Sequence, residues 1–215
     1  LLLFESEEVP GVPLDDVQEV SNYVAGLDRG LELLRTKLPV SLRLIREIHR
    51  VLLGRGRGSD TEPGEFRRTQ NWVGGSHPGN AVFVPPPPEQ VRELLSALER
   101  YIHGRDELPP LLRVALVHMQ FETIHPYLDG NGRLGRMLVA LLLDHWQLLK
   151  SPLLYLSLYL KQNQAAYYRW LSATRTEGGW PGWLQFFLHG VAQVSDDATE
   201  TARRLYAQVG EDRRR

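Results

Sequence analysis

The chain has 215 residues, an apolar share of 42% and a formal net charge of −1, which is typical of one globular domain without an overall field that attracts nucleic acid. Cysteine is absent, which excludes disulfides and thiolate chemistry. The longest apolar run is too short to cross a membrane, so we expect a cytoplasmic protein without a membrane partner.

The first part of the chain predicts a lead segment and two helices. Residues 1–13, with Pro10 and Pro13, are expected to be a short lead segment of a longer protein. Apolar residues then recur at helical spacing from Leu14 until Pro39, and a second helix follows the capping residue Ser41. The inward residues of the first helix are predicted to be Val17, Val20, Val24, Leu27, Leu31, Leu34 and Leu38.

A glycine-rich loop and a hairpin are predicted next. Residues 54–58 alternate glycine with arginine and are followed by Ser59 and Asp60, which is typical of a solvated loop, with a phosphate contact as the alternative. Residues 69–73 and 81–84 are short extended segments joined by a glycine-rich loop, which predicts a small β-hairpin. Its exposed edge would suit an incoming peptide, whereas a plain connecting loop is the alternative.

Two helices lead from the hairpin to the most informative stretch. The prolines at 85–88 stiffen the start of a helix whose apolar residues are Val91, Leu94, Leu95, Leu98 and Ile102, with a polyproline ligand as the alternative. Pro109 and Pro110 begin the next helix. Pro126 disfavours helical backbone at the preceding residue, so this helix should end near His125.

The residues after Pro126 predict a phosphate site. Gly130, Asn131 and Gly132 can adopt positive φ, which lets successive N–H groups point into one concavity. The N-terminus of the following helix adds about half a positive charge. Arg133 and Arg136 lie three residues apart on its first turn and can reach the same polyphosphate.

Two further groups complete the predicted site. Asp129 is a carboxylate beside an anion site, and Mg²⁺ between the carboxylate and a phosphate resolves this conflict. His125 is close enough along the chain to accept a proton from a hydroxyl that attacks the phosphate. The group predicts phosphoryl or nucleotidyl transfer. In the structural alternative, Asp129 is an N-cap, the glycines form a tight turn, and His125 is a polar residue at a helix C-terminus that bonds a free carbonyl.

The remaining chain predicts a buried helix followed by a more peripheral part. Residues 137–146 are apolar on almost every side, which predicts the central helix of a bundle. Ser151 and Pro152 break the chain before two helices, about 153–160 and 163–174, and residues 195–215 are a polar helix or linker. Trp183, Phe186, Phe187 and Val191 form a further apolar face. The other histidines lack zinc-like spacing, which argues against a zinc enzyme.

The stretch His125–Arg136 resembles the signature of the Fic family, written His-x-Phe-x-Asp/Glu-Gly-Asn-Gly-Arg-x-x-Arg. The one departure is Tyr127, where the family usually has phenylalanine, and this exchange is harmless if the hydroxyl finds a partner. The resemblance implies an all-α, Fic-type helical bundle with a small β-hairpin flap, spanning residues 14–194. Most such proteins transfer AMP from ATP to a hydroxyl of another protein.

The same resemblance implies a role for each matching residue. His125 is the general base and Asp129 holds Mg²⁺. The residues that bind ATP are Gly130, Asn131, Gly132, Arg133 and Arg136, with Tyr168 against the adenine ring. The flap residues that position the Ser, Thr or Tyr hydroxyl of the protein substrate are Thr69, Gln70 and Val73.

Related activities and regulation stay open at this point. Fic folds also host removal of AMP and the transfer of phosphate or phosphocholine, and a non-catalytic nucleotide-binding module is a further alternative. Many members carry an inhibitory helix whose glutamate pairs with the second motif arginine. Residues 1–13 are therefore expected to be the downstream end of a missing inhibitory region. A homo-oligomer is compatible with these features.

Overall fold

The computed structural model describes residues 14–149 and 156–212, which contain eight α-helices. They are α1 (Leu14–Arg35), α2 (Leu42–Leu52), α3 (Pro88–His103), α4 (Pro110–Ile124), α5 (Asn131–His145), α6 (Leu156–Gln162), α7 (Gln164–Thr176) and α8 (Trp180–Asp212). The predicted all-α fold is confirmed. The predicted lead segment 1–13, the break at 151–152 and the final arginines 213–215 lie outside the described residues.

The chain separates into two compact units, divided between Leu148 and Leu149. The first unit contains α1 to α5, and the second contains α6 to α8. This division falls within the predicted domain 14–194, whose limits stay a prediction. Within the described part of the chain, no helix combines the length and apolarity needed to span a membrane.

Helix α5 is the centre of the first unit, as its apolar sequence predicts. It contacts α1, α2 and α4, and its buried residues include Met137, Leu138 and Leu141. Gly135 allows α4 to approach closely, because a Cβ at this position would collide with the side chain of Glu122. The motif residues at the start of α5 are therefore attached to a rigid, densely packed helix.

Helix α1 shows where the sequence prediction was wrong. Val24 was expected to point inward, yet it is 40% exposed. The buried side instead includes Tyr23 and Gly30, and a Cβ at Gly30 would lie 2.9 Å from Ile48 Cδ1 and from Leu141 Cδ2. Close backbone approach, rather than apolar volume, thus selects the inward face. The helix also ends at Arg35, because Lys37 adopts a positive φ of 65°.

Helix α2 agrees with its prediction. Ser41 is the N-cap, and its hydroxyl accepts a hydrogen bond from the N–H of Leu44 at 3.4 Å. Leu44, Ile48 and Leu52 are completely buried, as expected from their spacing.

The predicted hairpin is present only as one antiparallel bridge between Val73 and Phe83. The Val73 N–H donates to the Phe83 carbonyl at 2.8 Å, and the Phe83 N–H returns a bond of 3.2 Å. In the described ranges this pairing does not extend into a strand. Gly74 and Gly75 both have a φ of 70°, which ends the extended backbone directly after Val73. We call residues 69–86 the flap segment.

The second unit has its own apolar core. Trp183 and Phe187 on α8 are completely buried, and the ring of Tyr167 on α7 lies 6.1 Å from the ring of Trp183. Two helices were predicted near 153–160 and 163–174, and α6 and α7 occupy these positions, although residues 153–155 lie outside the described part. Residues 195–215 were predicted to be a polar helix or linker, and residues 195–212 belong to α8, which begins at Trp180.

Candidate active site

His125 lies at the junction between α4 and the motif loop. It caps the C-terminus of α4 with φ 48° and ψ 62°, and its N–H donates to the Phe121 carbonyl at 3.0 Å. The helix therefore ends where Pro126 predicted. A left-handed conformation costs a residue with a side chain about 1–3 kcal/mol, so surrounding contacts must hold His125 in place.

Those contacts come from the flap segment and the residues before it. The His125 carbonyl accepts hydrogen bonds from Arg67 Nε at 2.9 Å and from Asn71 Nδ2 at 3.4 Å. On the ring side, His125 Nδ1 lies 4.0 Å from Glu122 Oε2, beyond hydrogen-bond distance. The side chain of His125 is 18% exposed, so a substrate can reach it from solvent.

The motif loop is folded around Tyr127. The side chain of Asn131 accepts from the Tyr127 N–H at 2.9 Å and donates to the Tyr127 carbonyl at 2.8 Å. Both the oxygen and the nitrogen of this side-chain amide bond to the loop. We therefore expect Asn131 to contact a nucleotide through its backbone N–H. The Tyr127 ring is completely buried, but its hydroxyl has no hydrogen-bond partner among the described residues. The condition for a harmless exchange of phenylalanine for tyrosine is thus not met.

His49 supports this loop from α2, a role that sequence reasoning missed. Its ring stacks on Tyr127 with 3.6 Å between centroids and an interplanar angle of 11°. His49 Nδ1 accepts from the Gly64 N–H at 2.8 Å, so the neutral ring donates through Nε2 to the Asp129 carbonyl at 3.0 Å. Burial lowers the pKa of His49 to about 4. The sequence did contain one signal for the burial of His49, because this residue lies four positions after Ile45 on the apolar face of α2.

The predicted anion nest is smaller than the glycine pattern suggested. Only Gly130 has a positive φ, 77°, whereas Asn131 and Gly132 already belong to the first turn of α5. The Leu134 N–H makes a hydrogen bond of 2.9 Å to the Gly130 carbonyl. This is the first hydrogen bond of the helix. The N–H groups of residues 131–133 come before it in the chain, so they have no acceptor within the helix and can bind an anion.

The two motif arginines have different surroundings. Arg133 Nη1 lies 3.5 Å from Glu19 Oε2 on α1, and Arg133 Nη2 lies 3.4 Å from Asp129 Oδ2. The guanidinium of Arg136 instead lies over Gly132, where a Cβ would be 3.1 Å from Arg136 Nη1. Arg133 therefore joins α1 to the motif loop, and Arg136 lies beside the N-terminus of α5.

Asp129 has a confined carboxylate. Oδ1 accepts from the Gly130 N–H at 2.6 Å, while a Cβ at Gly58 would lie 2.5 Å from Oδ2. The loop 54–60, predicted to be solvated, thus packs against Asp129 at Gly58, although Arg55 and Arg57 are exposed. No group of three potential metal ligands occurs within residues 14–149 and 156–212. A single carboxylate fits Mg²⁺ when phosphate oxygens and water complete the coordination.

The predicted flap residues Thr69, Gln70 and Val73 make their bonds to Arg67 or within the flap segment. The Thr69 carbonyl accepts from Arg67 Nη1 at 3.3 Å, and Gln70 Nε2 donates to the Pro85 carbonyl at 3.0 Å. Val73 forms the single bridge of the flap segment. Tyr168 lies on α7 in the second unit and is 51% exposed, so its contact with adenine stays a prediction.

Comparison with known proteins gives the family of this domain. Residues 39–143 match the model of the Fic/DOC family. A curated relative, the protein adenylyltransferase Fic of Drosophila grimshawi, is 36% identical over 128 residues, which are 57% of this chain and 25% of that protein. The corresponding protein of Drosophila yakuba is 34% identical over the same length. The chain spans about a quarter of the length of these curated relatives.

Solved structures extend the likeness to most of the helices. A Fic family protein from Desulfovibrio desulfuricans G20 has a TM-score of 0.73 at 26% identity, covering 91% of this chain and 56% of that chain. Fic-1 from C. elegans has a TM-score of 0.64 at 26% identity, covering 90% of this chain and 55% of that chain. The resemblance seen in the His125–Arg136 stretch is therefore confirmed, and this chain carries a domain of the Fic/DOC family.

Proposed function

We propose that this domain is a protein adenylyltransferase that transfers AMP from Mg²⁺-ATP to a hydroxyl side chain of another protein. One observation carries the proposal. His125 is held in a left-handed turn at the end of α4, and residues 126–130 connect it to α5, whose first N–H groups have no acceptor in the helix and whose first turns carry Arg133 and Arg136. A base and an anion site are thus joined by one short loop.

The chemistry follows from this arrangement. The hydroxyl oxygen of the target attacks the α-phosphorus of ATP while His125 accepts the hydroxyl proton. A new oxygen–phosphorus bond forms, the bond to the bridging oxygen breaks, and pyrophosphate leaves. The α5 N–H groups and Arg136 stabilise the negative charge on the transferring group. Asp129 would hold Mg²⁺, which neutralises phosphate charge when bound.

The substrate assignment is supported by the relatives and by the flap segment. Two relatives that are 36% and 34% identical to this chain over the matched residues are named protein adenylyltransferases. The flap segment is bonded to His125 through Asn71, so a Ser, Thr or Tyr hydroxyl presented there would be close to the base. The apolar residues Trp72, Val82 and Val84 are exposed on this segment, which suits a protein partner. A role of Tyr168 at adenine, a homo-oligomer and a cytoplasmic location stay predictions.

The direct test is self-modification and target modification with labelled ATP and Mg²⁺, followed by intact-mass analysis. We expect the mass of AMP to be added, and His125→Ala to lower transfer about a hundred- to ten-thousandfold while ATP binding persists. Arg136→Ala is the comparison variant and should weaken ATP binding itself. Addition of phosphate instead of AMP contradicts the proposal, and equal loss of binding and transfer in His125→Ala contradicts the role of the base.

A further inference from the structure

Arg67 is an almost completely buried cation whose guanidinium, among the described residues, bonds only to main-chain carbonyls. It is 2% exposed. Its guanidinium donates to the carbonyls of His125 at 2.9 Å, Thr69 at 3.3 Å and Ile124 at 3.4 Å, and also to that of Pro86. Its backbone N–H donates to the Pro126 carbonyl at 2.9 Å.

This arrangement is unusual because a buried charge normally has a charged partner. Arg67 takes part in none of the ion pairs found among the described residues. Burial lowers its pKa, and the more distant charge of Glu89 partly opposes that effect. Hydrogen bonds to the four carbonyls must therefore offset the free-energy cost of burying this charge.

The carbonyl partners belong to two separate places. Thr69 and Pro86 are at the two ends of the flap segment, whereas Ile124 and His125 form the end of α4. One rigid planar group thus spans both ends of the flap segment and the turn that carries the proposed base. A lysine ammonium lacks the planar array of N–H donors of a guanidinium, so it cannot bond to the flap segment and to the end of α4 simultaneously.

Asn71 makes a second link of the same kind. Its side chain is buried, and Nδ2 donates to the Tyr127 carbonyl at 2.8 Å and to the His125 carbonyl at 3.4 Å. Within the flap segment the described pairing is the single bridge between Val73 and Phe83. Arg67 and Asn71 therefore determine where the flap segment lies relative to His125.

We propose that Arg67 is a positioning residue that couples the flap segment to the general base, so that a hydroxyl held by the flap arrives at His125. The inference rests on the proposed function for the roles of His125 and of the flap segment. Water that attacks bound ATP needs the base but no flap. Loss of the coupling should therefore harm protein modification more than ATP hydrolysis.

The activity test compares Arg67→Lys with Arg113→Lys. Arg113 serves as the control because its guanidinium, like that of Arg67, donates to several main-chain carbonyls, here the three of Tyr101, Ile102 and Gly104. It lies about 18 Å from His125 along α4. We expect Arg67→Lys to reduce AMP transfer about tenfold more than ATP hydrolysis, with ATP affinity within about twofold of wild type. Parallel loss of both rates, no loss, or the same selective loss in Arg113→Lys would overturn the coupling.

A second readout does not depend on any activity. Amide hydrogen exchange at the bonded N–H groups of Val73 and Phe83 should accelerate in Arg67→Lys, while exchange in the interior of α5 stays unchanged. Arg113→Lys should leave both regions unchanged. If the wild-type protein transfers no AMP, the proposed function fails, and this exchange pattern alone decides the coupling. Unchanged exchange in the flap segment of Arg67→Lys overturns it.

Asn71→Ala keeps the proposal testable if Arg67→Lys loses cooperative unfolding. It removes the second link but no buried charge, so the protein should fold. We expect the same selective effects, smaller in size: protein modification falls more than ATP hydrolysis, and the flap segment exchanges faster. An unchanged ratio of the two rates together with unchanged exchange would overturn the proposal.

Discussion

Tyr127 is the residue at which this chain departs from the Fic signature. Its ring is packed between His49 and Phe66, whose centroids lie 3.6 and 5.3 Å away. Burial raises the pKa of Tyr127, so the hydroxyl remains protonated at ordinary pH. It is a donor without an acceptor in the described part of the protein. A buried polar group of this kind costs about 1–3 kcal/mol.

We therefore predict that Tyr127→Phe stabilises the protein. Gaining about 1 kcal/mol should raise the Tm by about 2–4 °C in a chain of this size, measured by thermal unfolding. Tyr206→Phe is the matched control, because that tyrosine is 84% exposed and its hydroxyl can bond to water. A lower Tm in Tyr127→Phe would mean that the hydroxyl has a partner in solution.

At the scale of elements, the loop between α2 and the flap segment matters more than its composition suggested. Asn22 on α1 donates to the Arg55 carbonyl at 2.7 Å, which ties one end of the loop. Gly56 and Gly58 have φ of 76° and 85°, so both adopt a left-handed backbone conformation that favours glycine. Only Gly58 lies against Asp129. The loop thus limits the space around the carboxylate that would hold Mg²⁺.

Gly58→Ala should for this reason displace the Asp129 carboxylate. Its Cβ would lie 2.5 Å from Asp129 Oδ2, whereas a Cβ at Gly56 would meet Gln18 Cγ at 3.3 Å. We expect Gly58→Ala to raise the Mg²⁺ concentration needed for ATP binding about tenfold, as measured by Mg²⁺ titration. Gly56→Ala carries similar backbone strain and should keep the wild-type Mg²⁺ dependence. Identical Mg²⁺ dependence in the two variants would contradict this role of Gly58.

At the scale of the whole molecule, buried histidines make stability depend on pH. His118 on α4 is completely buried, and its Nδ1 lies 3.0 Å from the Gly135 carbonyl on α5. Burial lowers the pKa of His118 to about 4, and the positive charge of Arg136 acts in the same direction. In the unfolded chain the pKa of histidine is about 6.5. The unfolded chain therefore binds the proton at a higher pH than the folded protein.

The sign of the pH dependence follows from this difference. The stability contributed by neutral His118 is complete above pH about 6.5 and is lost as pH falls towards about 4. We expect the Tm to fall across this range, and to fall less in His118→Gln, whose amide can still donate to the Gly135 carbonyl. His49, whose pKa is also lowered to about 4, contributes equally in both proteins. Parallel curves of Tm against pH would exclude His118 as a contributor.

Much of this domain was readable from the sequence because its signals are local. Ser41 caps α2, the prolines before α3 and α4 precede their first turns, and Pro126 marks the end of α4. The apolar composition of residues 137–146 identified the buried central helix. The motif is twelve contiguous residues, so a base, a carboxylate and a helix N-terminus are necessarily close together. Covalent connection alone guarantees that proximity.

The tertiary structure decided which residues surround the motif. His49 and Arg67 contact it from 80 and 58 residues away, and neither belongs to a spacing that indicates a site. Packing also selected Gly30 over Val24 for the inside of α1, because two helices approach there too closely for a side chain. Helix periodicity and turn residues are properties of neighbouring positions. Contacts that hold His125 and Asp129 depend instead on how separate elements pack, and no local pattern encodes them.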